Sequence, residues 1–169
     1  KLMNGDYHDL EQWLSEGSVD LGFIALPTRL KGRITALLED RLLAVVPVDH
    51  RLASLPRFPI KEVENEPFIS LLETSDHDAR RALEAADVKP NIRYTTKDDY
   101  AIIAMVEQGL GVSIMPELLL SGRSDNVRIM ELTPPASRTI GLCLPDADRA
   151  GPATLRFADC VSDWVREHY

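Results

Sequence analysis

Apolar positions along this chain switch repeatedly between a helical and an extended period. Leu10, Trp13 and Leu14 share one helical face, Asp6 can cap that helix and Gly17 can close it. Val19 to Ala25 is nearly unbroken in apolar residues, the pattern of a strand buried on both faces. Ile34 to Leu38 and Leu42 to Val46 predict two more strands, joined by Glu39-Asp-Arg41 and ended by Pro47. Between Asp49 and Glu66 the pattern breaks, with Pro56, Pro59 and Pro67 as punctuation. Phe68 to Leu72 predicts a short strand. Ser75 with Asp78 can then cap a helix with Ala79, Ala82, Leu83 and Ala86 inward, stopped before Pro90. Asn91 to Thr96 predicts a strand, and Thr96 with Asp99 repeats the cap pattern ahead of a helix carrying Ile102, Met105 and Val106. Val127 to Leu132 and Arg138 to Leu144 predict strands on either side of Pro134-Pro135. A last helix turns Phe157, Val161, Trp164 and Val165 inward.

The densest local signal is Val106-Glu-Gln-Gly-Leu-Gly-Val-Ser-Ile-Met-Pro116. Gly109 stands where a helix wants a residue of positive φ just past its end, and Leu110 can fold back onto Met105 in a Schellman cap. Gly111 leads into the strand Val112 to Met115, and Pro116 suits the first turn of a helix over Glu117 to Ser121. A dinucleotide-binding fingerprint follows a strand and opens a helix. These glycines follow a helix and open a strand, and Ile114 holds the place of the third glycine, so a phosphate cradle is excluded.

Strands alternating with helices predict an α/β sheet with parallel pairing. The two proline-marked crossings predict two lobes, residues 1–64 with 138–169 and residues 65–137. Sheets of this kind bind ligands beyond the carboxyl ends of their strands, in the crevice between lobes. The strand ends are Ala25 and Leu26, Ser70 to Leu72, and Thr95 and Thr96, with Ser113 near the start of its strand. Their hydroxyls and the nearby helix N-termini suit a small polar or anionic ligand. The same hydroxyls, with that of Ser75, are equally read as helix caps and strand polars.

Composition narrows the classes. Among 169 residues, 44% are apolar, as in ordinary globular proteins, and no apolar run approaches the roughly 20 residues of a membrane span. The opening Lys1-Leu-Met-Asn-Gly has neither an initiator Met nor an apolar signal core, and is read as the start of an excised piece. The net charge of −8 repels a phosphate backbone or an anionic membrane. Cys143 and Cys160 are too far apart for a metal knuckle or a redox pair, and are read as free thiols in or near the core. Asp76-His77-Asp78 is the one cluster with metal-ligand chemistry, but consecutive helical positions do not share a face. No metal and no cofactor is expected. No nucleophile elbow, metalloprotease helix, P-loop or Cys-x-x-Cys is present, so catalysis is not expected. Arg29, Lys31 and Arg33 can attract a carboxylate or simply form a solvated loop. Asp98 and Asp99 oppose an anion at one helix N-terminus.

Several motifs together resemble one family. Asn4-Gly5, Leu10, Leu14, Gly17 and Val19-Asp-Leu-Gly-Phe-Ile24 are similar to the early part of the effector-binding domain of LysR-type transcriptional regulators. Leu42-Leu-Ala-Val-Val-Pro47 followed by His50-Arg-Leu-Ala53, then Phe58-Pro-Ile-Lys-Glu-Val63 leading to Glu66-Pro-Phe-Ile69, continue the likeness in order. Gln108-Gly-Leu-Gly-Val-Ser-Ile-Met-Pro116 resembles the family's most recognisable late motif.

The resemblance implies a periplasmic-binding-protein-like fold of two Rossmann-like lobes, with a first strand and helix of the domain, and a winged helix-turn-helix, preceding the Asn4 region. It implies a cytoplasmic, ligand-sensing domain that binds a small-molecule effector between its lobes and contacts DNA only through that absent helix-turn-helix. It adds Asn4 and Asp98 to the effector-binding set Ala25, Leu26, Ser70, Leu71, Thr95, Thr96 and Ser113. It also implies a homodimer or homotetramer that uses the helix from Asp98 to Gln108, whose outer face is read as Tyr100, Ile103 and Ala104; the same apolar pattern also fits a helix buried on both sides within its lobe. A periplasmic solute-binding protein shares the fold and is the alternative, and a small α/β enzyme would require a nucleophile–base pair that the sequence does not offer.

Overall fold

Asp6 starts the first helix through a reciprocal cap. Its carboxylate accepts from the Asp9 amide at 3.0 Å, and the Asp9 carboxylate accepts from the Asp6 amide at 3.2 Å. Helix α1 (Tyr7–Glu16) follows and closes on Gly17. These elements belong to a computed structural model that describes residues 1–72, 78–121 and 126–169. By packing, the chain divides into two units, Lys1–Glu39 with Arg138–Tyr169, and Asp40–Ser137.

In the first unit, β1 (Gly22–Leu26) pairs antiparallel with the carboxyl half of β7 (Val127–Leu144), from Gly22 opposite Cys143 to Leu26 opposite Thr139. The strand is shorter than expected and buried on one face only. Ile24 packs with Leu14 of α1 and Cys143, while Phe23 stays 47% exposed. Across the sheet, Leu142 and Leu144 pack with Leu37 and with Ala158, Leu155 and Val161 of helix α5 (Pro152–His168). The inner face of α5 is therefore Leu155, Ala158, Val161 and Val165. Phe157 and Trp164, expected inward, are half exposed, and the Trp164 ring stacks on His168 with centroids 4.5 Å apart. Two overlapping stripes on this helix carry apolar residues at helical spacing, and packing against β7 selects the smaller one. Cys143 is buried, and desolvation pushes its thiol pKa up, whereas Cys160 is exposed rather than near the core.

The expected connections become strands. Residues 33–47 form one strand, β2 (Arg33–Pro47), rather than two. Asp40 is buried because its carboxylate accepts from the Leu118 amide at 3.0 Å, capping the short helix α4 (Glu117–Leu120). Arg41 turns outward to Glu117 at 2.5 Å and Glu131 at 2.7 Å. The polar triplet read as the join between two strands is thus an extended segment in which each of the three residues is engaged. Pro116 is the N-cap of α4 rather than its first helical residue. Likewise β7 runs through Pro134-Pro135 without a break.

Leu42 to Val45 pair antiparallel with β6 (Ser113–Pro116), while β4 (Pro67–Leu71) and β5 (Asn91–Thr96) pair in parallel. Pairing is therefore mixed, not the parallel sheet expected. Alternate residues feed two cores. Leu42, Ala44, Val46, Phe68, Val112 and Ile114 pack towards helix α2 (Asp78–Ala85), and Leu43, Val45, Ile69 and Met115 towards helix α3 (Asp99–Glu107). The strand β3 (Phe58–Pro59) and the 3-10 helix Ile60–Asn65 place Phe58, Ile60 and Val63, all fully buried, in the first of these cores. Residues 40–64 consequently pack with 65–137, and the packing boundary falls at Glu39, whereas the sequence reading grouped them with the first lobe. Ile103 is 1% exposed within the α3 core and is not on the outer face, where Tyr100 and Ala104 lie exposed. Ser75 and the Asp76-His77 part of the acidic cluster lie outside the described residues.

Arginines clamp glutamates on the second unit. Arg51 meets Glu62 at 2.5 Å and Glu66 at 2.8 Å. Hydrogen bonds from Arg51 and from Arg41 hold the Glu62 and Glu117 carboxyls below their ordinary pKa. A carboxyl depressed in the folded state adds stability above its unfolded pKa, about 4.3, and loses it as pH falls through the lower folded value. Arg41→Met is thus expected to flatten the acid side of the stability–pH curve slightly, read by denaturant melts between roughly pH 3 and 6.

Candidate functional site

Parallel pairing of β4 with β5 sets their carboxyl ends side by side, with Ser70 opposite Thr95 and Leu71 opposite Thr96. The Leu72 amide donates to the Thr96 carbonyl at 2.8 Å and extends the pairing by one residue. Next, the Thr96 hydroxyl accepts from the Asp98 amide at 3.1 Å, and the Asp98 carboxylate accepts from the Tyr100 amide at 2.9 Å. The N-cap of α3 is therefore Asp98, not Thr96 acting with Asp99, because the Thr96 hydroxyl accepts from the turn before the helix. Ser70, Leu71, Thr95, Thr96 and Asp98 form one continuous rim at the strand ends of the second unit. Thr95 and Asp98 are exposed, and Ser70, Leu71 and Thr96 half-buried.

Ser113 stands beside this rim but faces inward. Val112 bridges in parallel to Phe68, and the Ser113 hydroxyl, 2% exposed, donates to the Ile69 carbonyl at 2.8 Å. Its proton serves an internal strand contact, which matches the strand-polar reading of this residue. The Ser70 hydroxyl donates to the Leu71 carbonyl at 2.9 Å and accepts no hydrogen bond among the described residues.

The first unit holds the other expected residues. Ala25 and Leu26 close β1 opposite Ile140 and Thr139, both half-buried, and Asn4 is exposed in the segment before α1. In the following loop the Thr28 hydroxyl accepts from the Leu30 amide at 3.1 Å. Arg29 and Lys31 are exposed there, as solvated loop cations are, and Arg33 is exposed at the start of β2.

The electrostatics of the second-unit rim are mixed. The N-terminus of α3 offers partial positive charge, but Asp98 and Asp99 already occupy it. The rim therefore suits hydroxyl and amide recognition better than a bare anion. Among the described residues no three His, Cys, Asp or Glu side chains gather as metal ligands, and no helix is long and apolar enough to cross a membrane. Arg80, Lys89 and Ile92 carried no sequence signal, since Lys89-Pro90 reads only as a helix stop. With Ser70 and Leu71 they line a cavity of about 250 Å³.

Comparison with known proteins identifies the family and the fold. The LysR substrate-binding domain model matches residues 1–166. An uncharacterised HTH-type transcriptional regulator of Bacillus subtilis, YvbU, is 26% identical over 164 residues, which cover 96% of this chain and 56% of the relative. The chain thus spans about half the length of the curated relatives it matches. Among solved structures, the Synechocystis PCC6803 CcmR regulatory domain in complex with 2-PG superposes with a TM-score of 0.89 at 18% identity, over 99% of this chain and 84% of that one. The effector-binding domain of QuiR in complex with shikimate superposes with a TM-score of 0.86 at 20% identity, over 100% of this chain and 82% of that one. At these identities the superpositions speak for the fold, the two-lobed periplasmic-binding-protein-like arrangement.

Proposed function

The chain belongs to the LysR substrate-binding domain family, and from that membership we propose that it is the effector-sensing part of a bacterial DNA-binding transcriptional regulator. A small-molecule effector binds at the strand-end rim of Ser70, Leu71, Thr95, Thr96 and Asp98. Ser113 supports the rim through the Ile69 carbonyl rather than by touching the ligand. The observation that carries this reading is the parallel β4–β5 pair, which sets hydroxyls and a helix N-terminus together beyond the carboxyl ends of the strands. The solved CcmR and QuiR domains, named with 2-PG and shikimate bound, support a small-molecule ligand for this fold.

In this proposal the parent protein is cytoplasmic, works as a homodimer or homotetramer, and contacts DNA through a helix-turn-helix outside this chain. The helix-turn-helix naming of the matched relatives favours a regulator over a periplasmic solute-binding protein. Effector binding acts by favouring one arrangement of the parent protein over another, by as much as its affinities for the two differ.

A thermal-shift screen of small polar metabolites should find stabilisers of the folded chain, at about 2.7 kcal/mol for a ligand present at a hundred times its Kd. Thr96→Trp, which fills the rim, should cut that affinity at least tenfold. A stabiliser that binds Thr96→Trp as tightly as the wild type would move the site elsewhere.

A further inference from the structure

The cavity beside the rim has a character of its own. It lies between α2 and the β4–β5 pair, and its walls are mainly Phe68, Leu83, Val88, Pro90 and Ile92. Its volume, about 250 Å³, falls just under the ~300–1,000 Å³ of drug-sized pockets, so it suits a compact ligand. Protein interiors are packed with few voids larger than a water molecule. An apolar hollow of this size, with Ile92 45% exposed at its edge, leaves contacts unmade that a ligand would make.

Charge stands at its border. Arg80, Glu84 and Lys89 contribute one net positive charge to the lining. Arg80 is already engaged with other groups. The Lys89 ammonium has no carboxylate partner among the described residues, although Lys89 itself is pinned, its amide donating to Glu64 at 3.0 Å. The turn that delivers Lys89 is fixed as well. Asp87 adopts a positive φ of 54°, and the Val88 amide donates to the Leu83 carbonyl at 2.9 Å, closing α2 in a Schellman arrangement without glycine. The backbone of Lys89 is thereby fixed at the lining of an apolar hollow whose walls offer few polar groups, with its side chain exposed to solvent.

We propose that this cavity is a second small-molecule site, taking the apolar body of a compact monocarboxylate whose acid group pairs with Lys89. It goes beyond the effector reading above: of the strand-end rim it shares only Ser70 and Leu71, and its anchor and walls lie along α2 and the start of β5. The one carboxylate of Glu84 in the lining disfavours a second acid group on the ligand.

Phenylacetate is a suitable probe, titrated calorimetrically into the protein beside acetate and 2-phenylethanol. Phenylacetate should bind, acetate should not, and 2-phenylethanol should bind at least fivefold more weakly. Lys89→Met, which keeps the stem and removes the charge, should weaken phenylacetate about tenfold. Ile92→Trp, at an exposed position on the cavity edge, should abolish binding while the melting temperature stays near that of the wild type. Absence of phenylacetate binding, or binding unchanged in Ile92→Trp, would overturn the proposal, as would equal affinities for phenylacetate and 2-phenylethanol.

Discussion

Replacing Ile103 by glutamate is expected to unfold the second unit. Ile103 is 1% exposed and packs in one core with Ile69, Ile102, Val106 and Met115. Loss of a buried isoleucine side chain alone costs about 2–5 kcal/mol. A carboxylate in its place must either stay charged without a partner or take up a proton, and both add to the cost. The total, above about 5 kcal/mol, matches the whole stability of many domains. Circular dichroism should show lost cooperative melting, and an Ile103→Glu variant that melts like the wild type would contradict the packing. The sequence pattern places the same residue on a dimer face, and its burial removes it from that role. Tyr100, 62% exposed on the same helix, is the position at which the proposed self-association can be probed without damage to the core. Tyr100→Glu should leave stability within about 0.5 kcal/mol and, if α3 forms the interface, shift sedimentation of the parent protein towards monomer.

Gly111→Ala is expected to destabilise by about 3 kcal/mol, at the upper end of what overpacking usually costs. A Cβ at this position would sit 2.3 Å from the Pro67 carbonyl oxygen and 3.0 Å from its carbon, both backbone atoms of β4. That carbonyl accepts from the Val112 amide at 2.9 Å, and the Ile69 amide donates to the Val112 carbonyl at 2.9 Å. Relief of the clash must separate β4 from the approach to β6 and stretch both bonds. Because the Ser113 hydroxyl and the Ile69 carbonyl meet one residue further on, the damage should reach the strand ends and weaken effector binding too. Urea denaturation would measure the first effect and calorimetry the second. An alanine variant of wild-type stability would show that the two strands are not held at this distance. Gly109, by contrast, meets nothing within 4 Å and is needed for its φ of 71°, so an alanine there acts through backbone strain alone. Two glycines on either side of Leu110 thus serve different physical ends.

What the sequence determined by itself is what short stretches of chain decide among their own atoms. The Asp6–Asp9 cap, the closure of α1 on Gly17 and the Schellman turn after α3 each join residues no more than about five apart, and their residue types leave few alternatives. The Gly109 turn is completed by the Leu110 amide donating to the Met105 carbonyl at 3.1 Å, as its sequence pattern predicts. The succession of helices α1, α2, α3 and α5, and the family whose motifs the chain carries, followed from the same local signals. The strand ends Ser70, Thr95 and Thr96 were legible because a strand's end is marked by the break in its pattern.

Tertiary structure alone decided the rest. Glu39-Asp-Arg41 is as good a turn as a strand until Leu118 supplies an amide for Asp40 to cap, 78 positions away in the chain. Pro134-Pro135 breaks a pattern on paper but not β7. The inward face of α5 depended on which of two apolar stripes met Leu142 and Leu144, and the fate of Ser113 and Ile103 depended on neighbours contributed by β4. The cavity under α2 had no sequence signal because its walls come from three separate segments, brought together only by parallel pairing of β4 with β5. Local hydrogen bonds specify elements, but burial is a property of what lies opposite, and a residue's partner across a core is not written at its own position in the chain.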